Sequence, residues 1–210
     1  MQTIILAGVL AWTYLMVIAK RTPALIRSFR YQSFFLFLVT LGNAVNEGQT
    51  GLYFVSGLII LLKVFTIPYF LNLTAKKINV DENLGLFINS QLSLVFALIF
   101  TYCSWLFSQA LGFNQGYFRE TAVVAFSIIF IGAFLMIFRM KAFTQVIGLL
   151  VMENGIFLFA SAVSGGMPFF VEIAIFFDVF VSVIIMGLFV YRINSLFTHI
   201  DVNKLSRLKG

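Results

Sequence analysis

Lys63, Glu153 and Asp178 each stand near the middle of a long apolar stretch of the chain. Side chains that gain and lose protons have one chemistry to offer in such a place: holding, exchanging or sensing a charge away from water. An ionised group at the centre of a bilayer costs about 2.5–3.5 kcal/mol on insertion scales, so three isolated ones would cost roughly 8–10 kcal/mol. Groups that expensive are expected to be paired, hydrated or changing protonation state. A fourth acidic residue, Glu172, lies six residues before Asp178. Six residues turn a helix by about 600°, so the two carboxylates face directions roughly 120° apart and do not line one narrow path without a bend. Asp178 is the deeper and the preferred candidate, and Glu172, nearer the end of its segment, competes with it.

The elements that must position these residues follow from composition. Of the 210 residues 61% are hydrophobic and only 10% are charged, and the mean hydropathy is +1.02, far outside the range of a soluble domain. A crossing of a hydrocarbon core about 30 Å thick takes about 20 apolar helical residues. Seven stretches meet that need, approximately 3 to 19, 31 to 46, 51 to 74, 86 to 111, 121 to 138, 142 to 164 and 169 to 191. They are continuous runs, whereas the strands of a membrane β-barrel alternate over about ten residues. The expected fold class is an all-α integral membrane protein with seven transmembrane helices. The first stretch lacks a basic leader and is followed by Lys20 and Arg21 instead of a small-residue cleavage site, so it is taken as the first helix and not as a signal peptide.

Basic residues set the expected orientation. Lys20, Arg21, Arg27 and Arg30 fall between the first and second stretches, Lys76 and Lys77 between the third and fourth, Arg139 and Lys141 between the fifth and sixth, and Arg192, Lys204, Arg207 and Lys209 after the seventh. Only Arg119 falls on the other side. Positive charge collects on the cytoplasmic side, which places the N-terminus outside and the C-terminus in the cytoplasm. The net charge of +6 is then a topology signal and gives no support to nucleic-acid binding.

Several chemistries lack their residues. The lone cysteine, Cys103, lies in an apolar stretch and the lone histidine, His199, in the C-terminal tail, so neither an intrachain disulfide nor a metal, haem or iron–sulfur site is expected from this chain. No cofactor is expected. Glu120 beside Arg119, Asp81 with Glu82, and Asp201 near Lys204 fall at loops or segment ends, where solvated charge is ordinary. Gly165, Gly166 and Pro168 are expected to make the turn between the sixth and seventh stretches. The polar Gln91, Ser93, Thr101 and Ser104 are expected to serve packing or interhelical hydrogen bonds, and the 27 phenylalanines to face lipid and neighbouring subunits.

A weak internal repeat relates the two halves. Tyr31-Gln32-Ser33 before a Phe/Leu run resembles Met152-Glu153-Asn154 before Gly155-Ile156-Phe157-Leu158-Phe159, and Lys63-Val64-Phe65 resembles Asp178-Val179-Phe180. The expected organisation is 3+1+3: an N-terminal three-helix repeat over 1–80, a linker helix over 81–118, and a second three-helix repeat with a cytoplasmic tail over 119–210. Both repeats run in the same sense, a parallel repeat. Chance likeness between Phe- and Leu-rich helices is the plain alternative. The repeat sets Gln32 opposite Glu153 and Lys63 opposite Asp178.

The run Gly148-Leu149-Leu150-Val151-Met152-Glu153-Asn154-Gly155, then Val171-Glu172-Ile173 with Asp178, then the tail Asp201-Val202-Asn203-Lys204-Leu205-Ser206-Arg207-Leu208-Lys209-Gly210 resemble the component E membrane subunit of hydrogenase-4 type formate hydrogenlyases. The resemblance is strong over residues 139 to 210 and diffuse before them, where Lys63 followed by Pro68 fits the family's third helix. It implies that the C-terminal three helices are similar to the K subunit (chain 4L) of respiratory complex I and to the C subunit of Mrp cation/proton antiporters. In the K subunit, two buried glutamates on consecutive helices help link the quinone end of the membrane arm to antiporter-like subunits. The resemblance carries the first onto Glu153 and the second onto Asp178, an Asp where that family has Glu.

The function so implied is that of a non-catalytic membrane subunit in a redox-driven, proton- or sodium-translocating hydrogenase or complex I-like assembly. It would have no active site of its own and would relay protons through Glu153, Asp178 and Lys63, with Glu172 as reserve. Its partners would be antiporter-like membrane subunits, a membrane anchor subunit, lipids and, indirectly, a soluble nickel–iron hydrogenase-like arm, in a bacterial or archaeal plasma membrane. Two other classes compete: an Mrp-like cation/proton antiporter module without a redox partner, and a structural scaffold between antiporter-like subunits. Structural readings of single residues compete as well, with Lys63 anchoring helix packing and Glu153 hydrogen-bonding a polar neighbour.

Overall fold

The computed structural model describes residues 2–48, 50–77, 88–113, 116–139 and 142–163. Six helical rods account for almost all of them: α1 (Gln2–Ile18), α2 (Thr22–Glu47), α3 (Thr50–Leu58, continued through Ile59–Thr66 and Ile67–Lys77), α4 (Ser90–Ala110), α5 (Tyr117–Phe138) and α6 (Ala142–Val163). Four are long and apolar enough to cross a membrane, over Thr50–Lys76, Ser90–Ala110, Tyr117–Phe138 and Phe143–Val163, and α1 is a shorter apolar helix. The chain is an α-helical membrane protein. The seventh stretch, 169 to 191, lies outside the described residues.

Helix limits differ from the sequence expectation mainly at α2, which begins well before residue 31, at Thr22. Arg21 is extended and Pro23 stands at the start of the helix, where its fixed φ suits the first turn and its missing N–H is no loss. Arg27 and Arg30, expected in a connection, are exposed residues on this helix. Gly48 closes α2 at φ 65°, its N–H returning to the Ala44 carbonyl. A left-handed residue at that position is the usual glycine helix stop.

The closest helix pair is α5 with α6. A Cβ placed at Gly132 would lie 2.5 Å from the Met152 nitrogen, one at Gly148 2.7 Å from the Met136 nitrogen, and one at Gly155 2.8 Å from the Ala125 carbonyl oxygen. Backbone therefore meets backbone across three glycines, as small residues allow in a membrane, where lipid tails give helices no hydrophobic reason to associate. On α1, Gly8 plays a similar part against the Phe35 ring of α2. α2 lies at the middle of the bundle, packing on α1, α3 and α6, while α4 rests on α5 and α1.

The phenylalanines divide between two surroundings, contrary to the expectation that they face outward. Phe29, Phe134, Phe143 and Phe157 are buried, whereas Phe54 and Phe65 are more than half exposed. Phe96 and Phe100 of α4 pack in tilted pairs against Phe130 and Phe134 of α5 at centroid distances of 5.6 to 6.3 Å. An aromatic layer thus does much of the packing between these helices. The outward face of α4 remains bare: 22% of its span is buried, against 56% for α5 and α6.

Candidate functional site

Lys63 comes from the middle of α3, where the helix widens. Residues Ile59–Thr66 form a π-helical stretch, with the Ile67 N–H bonded to the Leu62 carbonyl and the Thr66 hydroxyl donating to the Leu61 carbonyl at 2.8 Å. Pro68 supplies a cause. It has no N–H to continue the ladder and its ring crowds the carbonyl four residues back, so a wider turn before it relieves the clash. The widened stretch turns Lys63 inward, where it is 1% exposed.

Its surroundings are contributed by α6. Lys63 Nζ donates to Asn154 Oδ1 at 2.8 Å, lies 3.6 Å from Glu153 Oε1, and sits 5.6 Å from the centre of the Phe157 ring. Glu153 is 2% exposed. Adjacent residues of one helix thus present the lysine with a neutral amide and a carboxylate, and the ring one turn on adds its electron-rich face. The α5–α6 glycine contacts fix the backbone from which they project.

Asn154 extends the contact across the bundle. Its Nδ2 donates to Gln32 Oε1 at 3.0 Å and to Ser33 Oγ at 3.3 Å on α2. Gln32 Nε2 donates to Thr13 Oγ1 of α1 at 2.8 Å, and Thr13 donates to the Val9 carbonyl at 2.8 Å. Thr13, Gln32, Ser33 and Asn154 are all buried. A lysine ammonium can only donate, so it fixes the Asn154 amide oxygen toward itself and thereby the direction of every later bond. Each donor points away from Lys63 and each dipole turns its oxygen toward the cation.

That direction limits the chemistry. Side-chain amides do not release protons at ordinary pH, so the string through Asn154 and Gln32 solvates the charge and does not conduct it. It ends on a helix carbonyl of α1. Burying a charged pair is favourable only when further hydrogen bonds satisfy it, and on the lysine side the amide string supplies one, from Nζ to Asn154.

A second buried cation works at the end of the bundle where α1 finishes. Arg139, expected as an ordinary connection residue, is 4% exposed. Its guanidinium donates to the carbonyls of Met16, Val17 and Ala19 at 3.2, 2.9 and 3.3 Å. A cation on the last carbonyls of a helix satisfies orphan acceptors and complements the helix dipole. Burial pulls the Arg139 pKa down to about 10, so it remains charged near neutrality.

The sequence-derived candidates therefore fare differently. Lys63 and Glu153 are brought together. Gln32 accepts a hydrogen bond from Asn154, the residue after Glu153. Asp178 and Glu172 lie outside the described residues, as does the C-terminal tail. Of the polar residues on α4, Thr101 makes an interhelical bond, 2.6 Å to the Tyr14 hydroxyl, whereas Ser104 turns back to the Phe100 carbonyl of its own helix. Thr13 and Ser33 escape sequence reasoning because a single hydroxyl in an apolar run carries little signal. No group of three or more His, Cys, Asp or Glu residues among the described residues could hold a metal ion.

Comparison with known proteins gives distant relatives. The chain is 24% identical over 204 residues to an uncharacterized protein of Mycobacterium tuberculosis, covering 96% of this chain and 93% of that protein. It is 29% identical over 153 residues to hydrogenase-4 component E of Escherichia coli K12, covering 71% of this chain and 70% of that protein, and equally so to the Shigella flexneri protein of the same name. No family model and no solved structure matches the chain.

Proposed function

We propose that this protein is a non-catalytic membrane subunit of a hydrogenase-like, redox-driven complex that translocates protons or sodium, and that Lys63 and Glu153 form its switchable charge pair. The carrying observation is the pair itself, 3.6 Å apart and almost fully enclosed within apolar helices. The likeness to hydrogenase-4 component E supports the assembly in which such a pair would act, with antiporter-like and anchor subunits as neighbours. Mrp-like transport without a redox partner would use the same pair, and the neighbouring reading frames separate the two: a nickel–iron hydrogenase-like large subunit beside this chain supports the redox reading.

A nearby opposite charge favours ionisation and burial disfavours it, so shifting one charge near the pair changes the proton occupancy of the other. Redox chemistry elsewhere could drive proton movement through such a shift. Asp178, with Glu172 as its competitor, is the proposed next carboxylate on the path. Seven crossings with the N-terminus outside complete the reading, and a C-terminal reporter active only on the outer side would overturn that orientation.

The test of the charge pair is Glu153→Gln in the intact complex. The substitution keeps size and hydrogen bonding but removes the titratable proton. Complex abundance should stay near wild type while proton movement per turnover in membrane vesicles falls. Normal coupling in a fully assembled Glu153→Gln complex would leave the pair a structural feature.

A further inference from the structure

Arg119 is the exception to the charge distribution of this chain: it lies at the opposite end of the bundle from Lys20, Arg21 and Arg139, where α1 and α5 begin and α4 ends. A basic residue on the side that membrane proteins keep poor in basic charge invites a local reason. Its guanidinium sits 5.7 Å from the centre of the Trp105 ring on α4, and among the described residues no carboxylate pairs with it. The next residue, Glu120, is exposed and accepts a hydrogen bond at Oε2 from the Thr3 hydroxyl at 3.0 Å.

These residues frame the mouth of a cavity of about 530 Å³ between α1, α4 and α5. Below Thr3, Arg119 and Glu120 the walls turn apolar, with Leu6 and Leu10 on one side and Val123 and Val124 on the other. Thr3 to Leu10 spans about 10 Å of helix rise, so the groove runs about that far along α1 from its charged mouth. Gly116 lines the mouth too and starts α5 without a side-chain cap, which adds the positive end of a helix dipole.

We infer that this groove is a phospholipid site, with the lipid phosphate on Arg119, an ammonium headgroup on Glu120 and one acyl chain along the accessible Ala7, Leu10 and Val123 walls. A mouth carrying both signs suits a zwitterionic headgroup of the ethanolamine type, because a purely anionic lipid would meet the Glu120 carboxylate without compensation. An indole beside the arginine matches the membrane interface, where amphipathic rings settle. The site rests on the membrane character of the chain and not on the charge-pair reading, so either can fail alone.

The test uses the full chain, tagged and left in native membranes with whatever partners it holds. Diazirine-bearing phosphatidylethanolamine and phosphatidylglycerol probes are photolysed, the chain is isolated, and adducts are mapped to peptides. Labelling of the groove walls is expressed against labelling of the exposed α4 face around Leu92 and Ile99, which samples bulk lipid, and chain abundance in the membrane reports folding. The ethanolamine probe should favour the groove in the wild type. Arg119→Gln should cut that preference about tenfold, the loss of one charge-assisted contact, while Arg119→Lys retains most of it. Glu120→Gln should erase the advantage of ethanolamine over glycerol. Equal groove labelling in wild type and Arg119→Gln, or glycerol probe labelling the wild-type groove as well as ethanolamine, would overturn the proposal.

Discussion

Lys63 is held more closely by Asn154 than by Glu153: its ammonium donates to the amide oxygen at 2.8 Å and stands 3.6 Å from the carboxylate. The neutral neighbour therefore helps fix where the cation sits. In the proposed charge pair, a change of charge on Glu153 would leave the shorter of these two ties in place, because an amide does not titrate at ordinary pH.

Asn154 should accordingly be the residue of the cluster least tolerant of an apolar replacement. Asn154→Leu would remove a partner of Lys63, Gln32 and Ser33 together. Leaving buried polar groups unsatisfied costs about 1–3 kcal/mol each. The level of the chain in membranes and its thermal midpoint in detergent should both fall, whereas Ser33→Ala, losing one 3.3 Å bond, should do little. Equal levels for Asn154→Leu and wild type would show that the amide string is not holding the bundle together.

The α5–α6 contact predicts sharp intolerance at glycine. Gly148→Ala sets a Cβ 2.7 Å from the Met136 backbone nitrogen, and backbone cannot swing aside as a flexible side chain can. Gly57→Ala on α3 meets nothing within 4 Å and replaces glycine with a better helix former. Quantitative immunoblotting should show a several-fold loss for the first and none for the second. A healthy Gly148→Ala chain would mean that the two helices leave room for a methyl group between them.

Much of this was legible in the sequence, and the rest failed for identifiable reasons. Composition is enough to announce apolar membrane helices, and the cost of buried charge singles out Lys63 and Glu153. It does not announce that they meet, because they lie on helices whose packing depends on glycine contacts that no periodicity reveals. The bond from Asn154 to Gln32 is not foreseen either, since a repeat that matches Gln32 with Glu153 as equivalent positions says nothing about which side chains touch. Arg139 is misleading in the sequence because a basic residue after an apolar run looks the same whether it faces water or caps a neighbouring helix. The widening around Lys63 leaves one trace, Pro68, whose effect on the preceding turn is not specific enough to predict a π-helical stretch.

The proposed continuation of the path predicts an order among the remaining carboxylates. If Asp178 follows Glu153, Asp178→Asn should lower coupled proton movement in vesicles, by less than Glu153→Gln does. Glu172→Gln should matter least, because six residues turn it about 120° from Asp178. The reverse order would move the second carboxylate to Glu172, and no effect from either would confine the exchange to the Lys63–Glu153 pair.

The pair itself can be tested by removing its halves singly and together. Lys63→Met takes the cation away from the Glu153 carboxylate, and Glu153→Leu leaves the lysine with its amide but without this carboxylate. Breaking a buried pair by deleting one partner typically costs about 3–5 kcal/mol, whereas replacing both with apolar residues of similar size is often neutral. The double variant should therefore be more abundant and more heat-resistant in membranes than either single variant, yet it should fail to move protons. Stability and coupling then part company in one doubly substituted chain, a result that a purely structural pair would not give because restoring its packing would restore everything it does. Additive losses of stability in the double variant would show that Lys63 and Glu153 act independently, and normal proton movement in it would take the pair off the path.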